Sequence, residues 1–256
     1  MPYDPPGLRP AEPRVVTGAL RAVSAVNPYF AVATGPADPE AADPEAAGWR
    51  PLAVLHADPE ILDGMVSGVA RRLGTDERRI AASILFQGLA ARFWSPAVGA
   101  AAAGVLVDLD PARVLWRPAP TGPLPLLIPR PAGWEVADAA LAAGPLYRDV
   151  VGDLLEPLAH AVRETTRVAP GLLWGNAASA LAGTLQTIAA QRPGAAARAF
   201  RLTRELLRLG VLRGTGELTE PAPGRPRFLR RSCCLYYRLP GGGWCGDCPL
   251  PARVAR

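Results

Sequence analysis

All four cysteines of this 256-residue chain, Cys233, Cys234, Cys245 and Cys248, fall within sixteen residues, spaced Cys-Cys-x10-Cys-x2-Cys. None occurs in the 232 residues before them. Cysteines used as small core residues scatter along a chain; these four read as one site. Three chemistries suit four thiols: structural zinc, an iron–sulfur cluster, or two disulfides. Soft sulfur ligands favour zinc and iron–sulfur centres over magnesium or calcium. Disulfides need an oxidising compartment, and Met1 to Pro13 has no basic patch leading into an apolar stretch, as a secretory signal would. The expectation is a cytoplasmic protein whose thiols are reduced or metal-bound.

Zinc and a cluster make different demands on spacing. A four-cysteine zinc site usually presents two knuckles, each a pair separated by about two to four residues. Only Cys245 and Cys248 form one. Cys233 and Cys234 are adjacent, and neighbouring side chains on an extended chain point to opposite faces, which makes joint chelation of one ion awkward. A [2Fe-2S] centre spreads four ligands over two irons, so an adjacent pair can reach different irons, although this spacing departs from the ferredoxin runs. Both metals stay open on spacing alone. Gly241-Gly242-Gly243 permits a sharp turn and close backbone approach. Tyr236, Tyr237 and Trp244 are candidates to cover a cluster, or simply two short aromatic strands around a glycine turn. Arg225, Arg227, Arg230, Arg231 and Arg238 would offset the negative charge of a tetrathiolate cluster, and each also fits an ordinary solvated basic surface.

The four cysteines, set in Arg-Arg-Ser-Cys-Cys-Leu-Tyr-Tyr-Arg and Cys-Gly-Asp-Cys-Pro-Leu, resemble the C-terminal signature of the FhuF-type ferric-siderophore reductase family. Two upstream stretches, Ile84 to Pro96 and Leu173 to Leu181, are similar to the family less specifically. The resemblance implies a [2Fe-2S] cluster ligated by Cys233, Cys234, Cys245 and Cys248. It also implies an oxidoreductase that reduces Fe(III) in a siderophore chelate by one electron and releases Fe(II). Hydroxamate and catecholate oxygens are hard ligands that fit Fe(III) far better than Fe(II), so reduction loosens the metal. Beside this stands an alternative: a non-catalytic binding or regulatory module bearing zinc or a cluster.

The elements that must position such a site read as an α+β fold, predominantly α-helical, with a small antiparallel β element and a C-terminal cysteine-rich iron–sulfur module. We expect residues 1–215 to form a mainly helical siderophore-binding scaffold and residues 216–256 the [2Fe-2S] module. After a loose lead-in to Arg14, a helix is predicted from Val15 to Ala25 and a strand over Tyr29 to Thr34. Pro36 to Pro51, with two near copies of Ala-Asp-Pro-Glu-Ala, reads as a loop. Asp58-Pro59-Glu60 starts a helix to about Leu73, and a second runs from Asp76 past Trp94, where Ser95-Pro96 kinks or restarts it. Val105–Leu109, Val114–Arg117 and Leu124–Ile128 read as a small meander. Helices return after Gly133: Leu146 to Arg167, one opening at Pro170, and Gly194 to Leu209. Gly214 to Arg225 reads as a linker. Pro170 to Gln191 is uncharged and long enough to span a bilayer, but its Asn176, Ser179, Thr184, Gln186 and Thr187 favour a buried central helix. Peripheral contact with the inner membrane face remains compatible with that.

The charge is +5, and all 28 basic residues are arginine, interspersed with 23 acidic ones. With no nucleic-acid motif, DNA or RNA is not an expected partner. His56 and His160 read as ordinary surface or core residues. There is no Gly-x-Ser-x-Gly elbow, no Walker loop, and no third glycine to make Gly214-Thr215-Gly216 a dinucleotide fingerprint. An electron must therefore come from an external ferredoxin or flavoprotein. Trp174 and Asn176 are candidates for a substrate pocket, against a packing role in which Gly175 permits close approach.

Overall fold

In the computed structural model, residue 5, residues 7–35 and residues 48–250 are described. The molecule is 55% helical with small sheets, an α+β protein. Two helices form its axis: α4 (Arg78–Ala102) and α7 (Pro170–Gln191), both buried on nearly every side. Helices apolar all round belong in the centre of a fold. Around them stand the amphipathic helices α1 (Pro13–Ser24), α3 (Pro59–Leu73), α6 (Glu156–Thr166) and α8 (Pro193–Leu206), and two short ones, α2 (Ala53–Ala57) and α5 (Ala143–Tyr147). Asp58 caps α3 as its sequence predicts, accepting from the Glu60 N–H at 2.9 Å.

The polar residues of α7 have a clear task. Asn176 donates to Ser83 Oγ (2.9 Å), Gln87 to Ser179 Oγ (3.2 Å), and Ser95 lies 3.2 Å from Thr184 Oγ1. The rungs ascend both helices together, so α4 and α7 run in the same direction with a ladder of hydrogen bonds between them. Buried polar groups that pair with each other avoid the desolvation cost of an unmade bond. Among the described residues no helix is long and apolar enough to cross a membrane.

Several expectations need correction. Pro96 does not restart α4, which runs through it unbroken to Ala102; the residues from Arg92 to Ala102 are all buried, and tertiary packing outweighs the lost backbone bond. The predicted meander is divided between two sheets. Strands β1 (Arg9–Pro10), β7 (Gly133–Glu135) and β4 (Val105–Val107) form one sheet in the order β1-β7-β4. Strands β2 (Ala33–Thr34), β6 (Leu126–Ile128), β5 (Leu115–Trp116) and β3 (Arg50–Pro51) form the other, in the order β2-β6-β5-β3. The β2–β6 pairing is parallel, an exception in a β component otherwise antiparallel. The strand over Tyr29 to Thr34 shrinks to β2, and β7 replaces the predicted return to helix after Gly133. Between α5 and α6, residues 148–155 are π-helical, within the segment read as one helix. Most of the predicted loop from Pro36 to Pro51 lies outside the described residues.

The supposed linker is half of a hairpin: β8 (Gly216–Thr219) pairs with β9 (Arg227–Arg230). Alternation in β9 turns Phe228 and Arg230 inward and Arg227 and Leu229 outward. Phe228 joins the main hydrophobic core, so the hairpin that leads to the cysteines is seated on the helical body.

Candidate metal centre

The chain leaves β9 at Arg230 and enters the cysteine segment directly. A left-handed Leu235 (φ 70°) follows Cys234 and turns the chain into a 3-10 turn at Tyr236–Arg238. Gly242 then lies against that turn, where a Cβ would come 2.4 Å from the Tyr236 carbonyl oxygen. The irregular return segment brings Cys245 and Cys248 back, closed by a Cys248 N–H to Cys245 carbonyl bond of 3.0 Å. Cys234 Sγ and Cys245 Sγ end 3.6 Å apart.

The helical axis anchors this loop. Ser83 Oγ in α4 donates to the Cys234 carbonyl at 2.7 Å, and Asn176 in α7 donates to the Ser83 carbonyl at 2.8 Å. Arg230 Nη2 donates to Asn176 Oδ1, and the Arg230 N–H reaches the Asp247 carbonyl at 3.1 Å. Strand, both central helices and the Cys245–Cys248 turn thus meet at one point. Arg238 Nη1 pairs with Glu77 Oε1 at 3.1 Å, tying the 3-10 turn to the start of α4.

Cys234 and Cys248 are buried, while Cys233 and Cys245 are partly exposed. Burial pushes the Cys245 thiol up, and Cys234 and Asp247 push it further. Burial also raises Cys233, against a lowering contact from the Leu235 N–H at 3.3 Å. Negative charge on this group of sulfurs therefore needs a positive centre to stabilise it. Two thiolates on one tetrahedral metal, bound at about 2.3 Å each, lie about 3.8 Å apart, close to the Cys234–Cys245 separation. Among the described residues, however, no three Cys, His, Asp or Glu side chains converge as the ligands of a single ion would. The Cys234–Cys245 separation suits two sulfurs sharing one metal, in a zinc site and in a [2Fe-2S] centre alike. A second sign is the set of buried polar atoms without partners: Arg230 Nε and Nη1, Ser232 Oγ and Asp247 Oδ2. Each unmade bond costs about 1–3 kcal/mol, and three of the four atoms are donors at the base of the cysteine loop. They fit a group rich in acceptor sulfur.

Residues 230–250 match the model of the FhuF 2Fe-2S C-terminal domain. The segment is similar to the FhuF-type 2Fe-2S domain. Its four cysteines fit that domain's motif, and the cofactor it indicates is a [2Fe-2S] cluster. No curated protein sequence matches the chain.

Within this segment the three aromatics named as candidate cover are exposed. Tyr236 is 39% exposed, Tyr237 46% and Trp244 63%. They flank the cysteines in sequence and carry much of their surface to solvent. Arg238 is bound to Glu77 rather than aimed at sulfur. Asn176 and Trp174, read as pocket residues, are placed as follows. Asn176 is fully buried and joins Ser83 to Arg230, so it has no surface for a ligand. Trp174 packs edge-on against Phe86, with ring centroids 6.3 Å apart.

A different cavity adjoins the domain. It has a volume of about 370 Å³ and lies between the α4–α7 ladder and the Gly246-Asp247 pair that separates Cys245 from Cys248. Gln87, Ser95, Ser179, Thr184 and Thr187 give it a neutral hydrogen-bonding wall. A larger groove of about 550 Å³ lies across α4, lined by apolar residues such as Met65, Val69 and Leu85, and no residue of the cysteine domain borders it. Sequence reasoning missed Ser83, Ser232 and the polar cavity. A serine in a helical run gives no signal of a partner 151 positions away.

Proposed function

We propose that this chain is an iron–sulfur ferric-siderophore reductase, transferring one electron to Fe(III) in a siderophore chelate and releasing Fe(II). Cys233, Cys234, Cys245 and Cys248 hold the centre. Bound there, a [2Fe-2S] cluster supplies a one-electron relay between an external ferredoxin or flavoprotein and the ferric substrate. The chain's own residues do the rest. Ser83, Asn176 and the β9 backbone fix the loop, and Gly246 and Asp247 bring its edge to the polar cavity. The outward Tyr236, Tyr237 and Trp244 offer a donor protein aromatic contacts beside the centre.

The observation that most supports the reading is that polar cavity, whose wall includes the two residues between Cys245 and Cys248. Its volume sits at the lower end of the range for small-molecule sites, about 300–1,000 Å³, which suits one face of a chelate held against the cysteine loop. The neutral hydroxyl and amide lining matches a ligand whose periphery is dense in hydrogen-bonding groups.

The test is an anaerobic preparation assayed for iron, acid-labile sulfide and visible absorption, then for Fe(II) released from a ferric siderophore and captured by a ferrous-specific chelator. The expected result is about two irons and two sulfides per chain, bands that bleach on reduction, and Fe(II) production. Cys245→Ser should lose the cluster and the activity together. A colourless protein with one zinc would overturn the reading, as would full cluster in the wild type with no turnover of any ferric chelate under reduced donor.

A further inference from the structure

Arg230 ends β9 with 1% of its surface exposed. Nη2 is bound to Asn176 Oδ1, but Nε and Nη1 are buried with no partner. Burying a charged group without completing its hydrogen bonds is costly. The fold can complete them elsewhere: Arg92, also 1% exposed, donates from all three nitrogens to the carbonyls of Leu124, Tyr29 and Ala31. At Arg230 Nε and Nη1 no carbonyl or carboxylate answers. Asp247 comes within backbone reach, yet its own Oδ2 is buried and unpartnered.

Ser232 stands beside this guanidinium. Ser232 Oγ is buried without a partner, and both Ser232 Oγ and Arg230 Nη2 crowd the bare face of Gly175, at 1.9 and 3.2 Å from where a Cβ would stand. Cys233 follows Ser232 directly, and the Arg230 backbone N–H bonds the carbonyl of Asp247, between Cys245 and Cys248, at 3.1 Å. The remaining arginines of the segment differ. Arg225, Arg227 and Arg231 are exposed, and Arg238 is ion-paired at the surface, where water screens their charge.

We infer that Arg230 donates hydrogen bonds from Nε and Nη1 to sulfur of the [2Fe-2S] centre, with Ser232 Oγ as a further donor, and so raises the reduction potential. This rests on the cluster being carried by the four cysteines. One-electron reduction adds a negative charge to the centre, so a buried guanidinium and its N–H groups stabilise the reduced form more than the oxidised one. Arg230 is a positioning and tuning residue. It touches neither the ferric substrate nor the donor.

The experiment compares full-length holoprotein of wild type, Arg230→Gln, Arg230→Lys, Ser232→Ala and the surface control Arg227→Gln. Iron and sulfide are assayed first, then the midpoint is read by optical redox titration. Arg230→Gln should lower the reduction equilibrium constant about tenfold, a shift of about 59 mV to more negative potential for a one-electron couple. Arg230→Lys and Ser232→Ala should shift it less in the same direction, and Arg227→Gln should not move it. In wild type the Fe–S stretching bands in resonance Raman spectra should shift on exchange into D2O, and in Arg230→Gln that sensitivity should fall. If Arg230→Gln cannot retain a cluster, a negative midpoint shift in Arg230→Lys and Ser232→Ala sustains the inference. Unchanged midpoints in all cluster-bearing Arg230 and Ser232 variants overturn it. A wild-type chain without iron and sulfide removes the cluster reading, and this inference falls with it.

Discussion

At the scale of single residues, burial of charge is the recurring theme. Arg92 is held by three backbone carbonyls, and burial lowers its pKa to about 10. Asp149, in the π-helical stretch, accepts from Arg148 Nε at 2.9 Å, yet burial still raises it to about 6, with Asp153 and Asp108 adding to the rise. An ordinary aspartate has a pKa near 3.8. The folded state therefore holds this proton more tightly than the unfolded state. By linkage, its contribution is most favourable below about pH 4 and declines as pH rises to about 6, then stays constant. Asp149→Asn cannot titrate, so the difference in Tm between it and the wild type should change between pH 4 and 6 and level off above. Thermal melts of both proteins across that range check this; a constant difference would contradict it.

At the scale of elements, the seat of the cysteine domain on α7 depends on a missing side chain. A Cβ on Gly175 would lie 1.9 Å from Ser232 Oγ, whereas Gly183 in the same helix has nothing within 4 Å of its Cβ position. Alanine gains about 1 kcal/mol over glycine in a helix interior, while overpacking typically costs about 1–3 kcal/mol. At position 175 the clash should win. Gly175→Ala should lower Tm and release iron to a chelator faster, and Gly183→Ala should leave iron retention unchanged with Tm equal or higher. Equal behaviour of the two variants would remove Gly175 from the account of how the domain is seated. Leu173 and Trp174, just before it, keep the same helix packed in the core, which is why the glycine and not its neighbours is decisive.

At the scale of the molecule, the α4–α7 ladder serves two ends. Its upper rung, Ser83 with Asn176, fixes the cysteine loop, and its lower rungs face the polar cavity. The proposed chelate site then lies on the same helical pair that supports the redox centre, a rigid base for holding substrate near the electron source. Thr187 lines the cavity and its hydroxyl bonds only within its own helix, to Gly183 O at 2.9 Å. Thr187→Phe should therefore fill the cavity without disturbing the cysteines. Iron and sulfide content should match wild type, KM for a ferric siderophore should rise about tenfold or more, and oxidation of the reduced protein by ferricyanide should proceed at the wild-type rate. Unchanged siderophore kinetics would place the substrate elsewhere.

What could be read from the chain alone was what local chemistry determines. The spacing of Cys233, Cys234, Cys245 and Cys248 identified the site and its family resemblance, because ligand identity and interval are properties of the sequence itself. Helix boundaries such as Asp58-Pro59 were legible for the same reason: capping acts over three or four residues. The hydrophobic content of Pro170 to Gln191 marked a central helix, and its polar residues excluded a simple membrane span. Which residues face the cysteines was decided only by the tertiary structure. Tyr236, Tyr237 and Trp244 adjoin the thiols in sequence and are exposed, whereas Ser83 and Asn176, distant in sequence, hold the loop. Arg230 was one basic residue among five until β9 turned it inward beneath the cysteines. The reason is physical: side-chain direction follows strand alternation and helix phase, but what stands opposite each side chain depends on how separate elements pack, a long-range fact that no short interval of residues encodes.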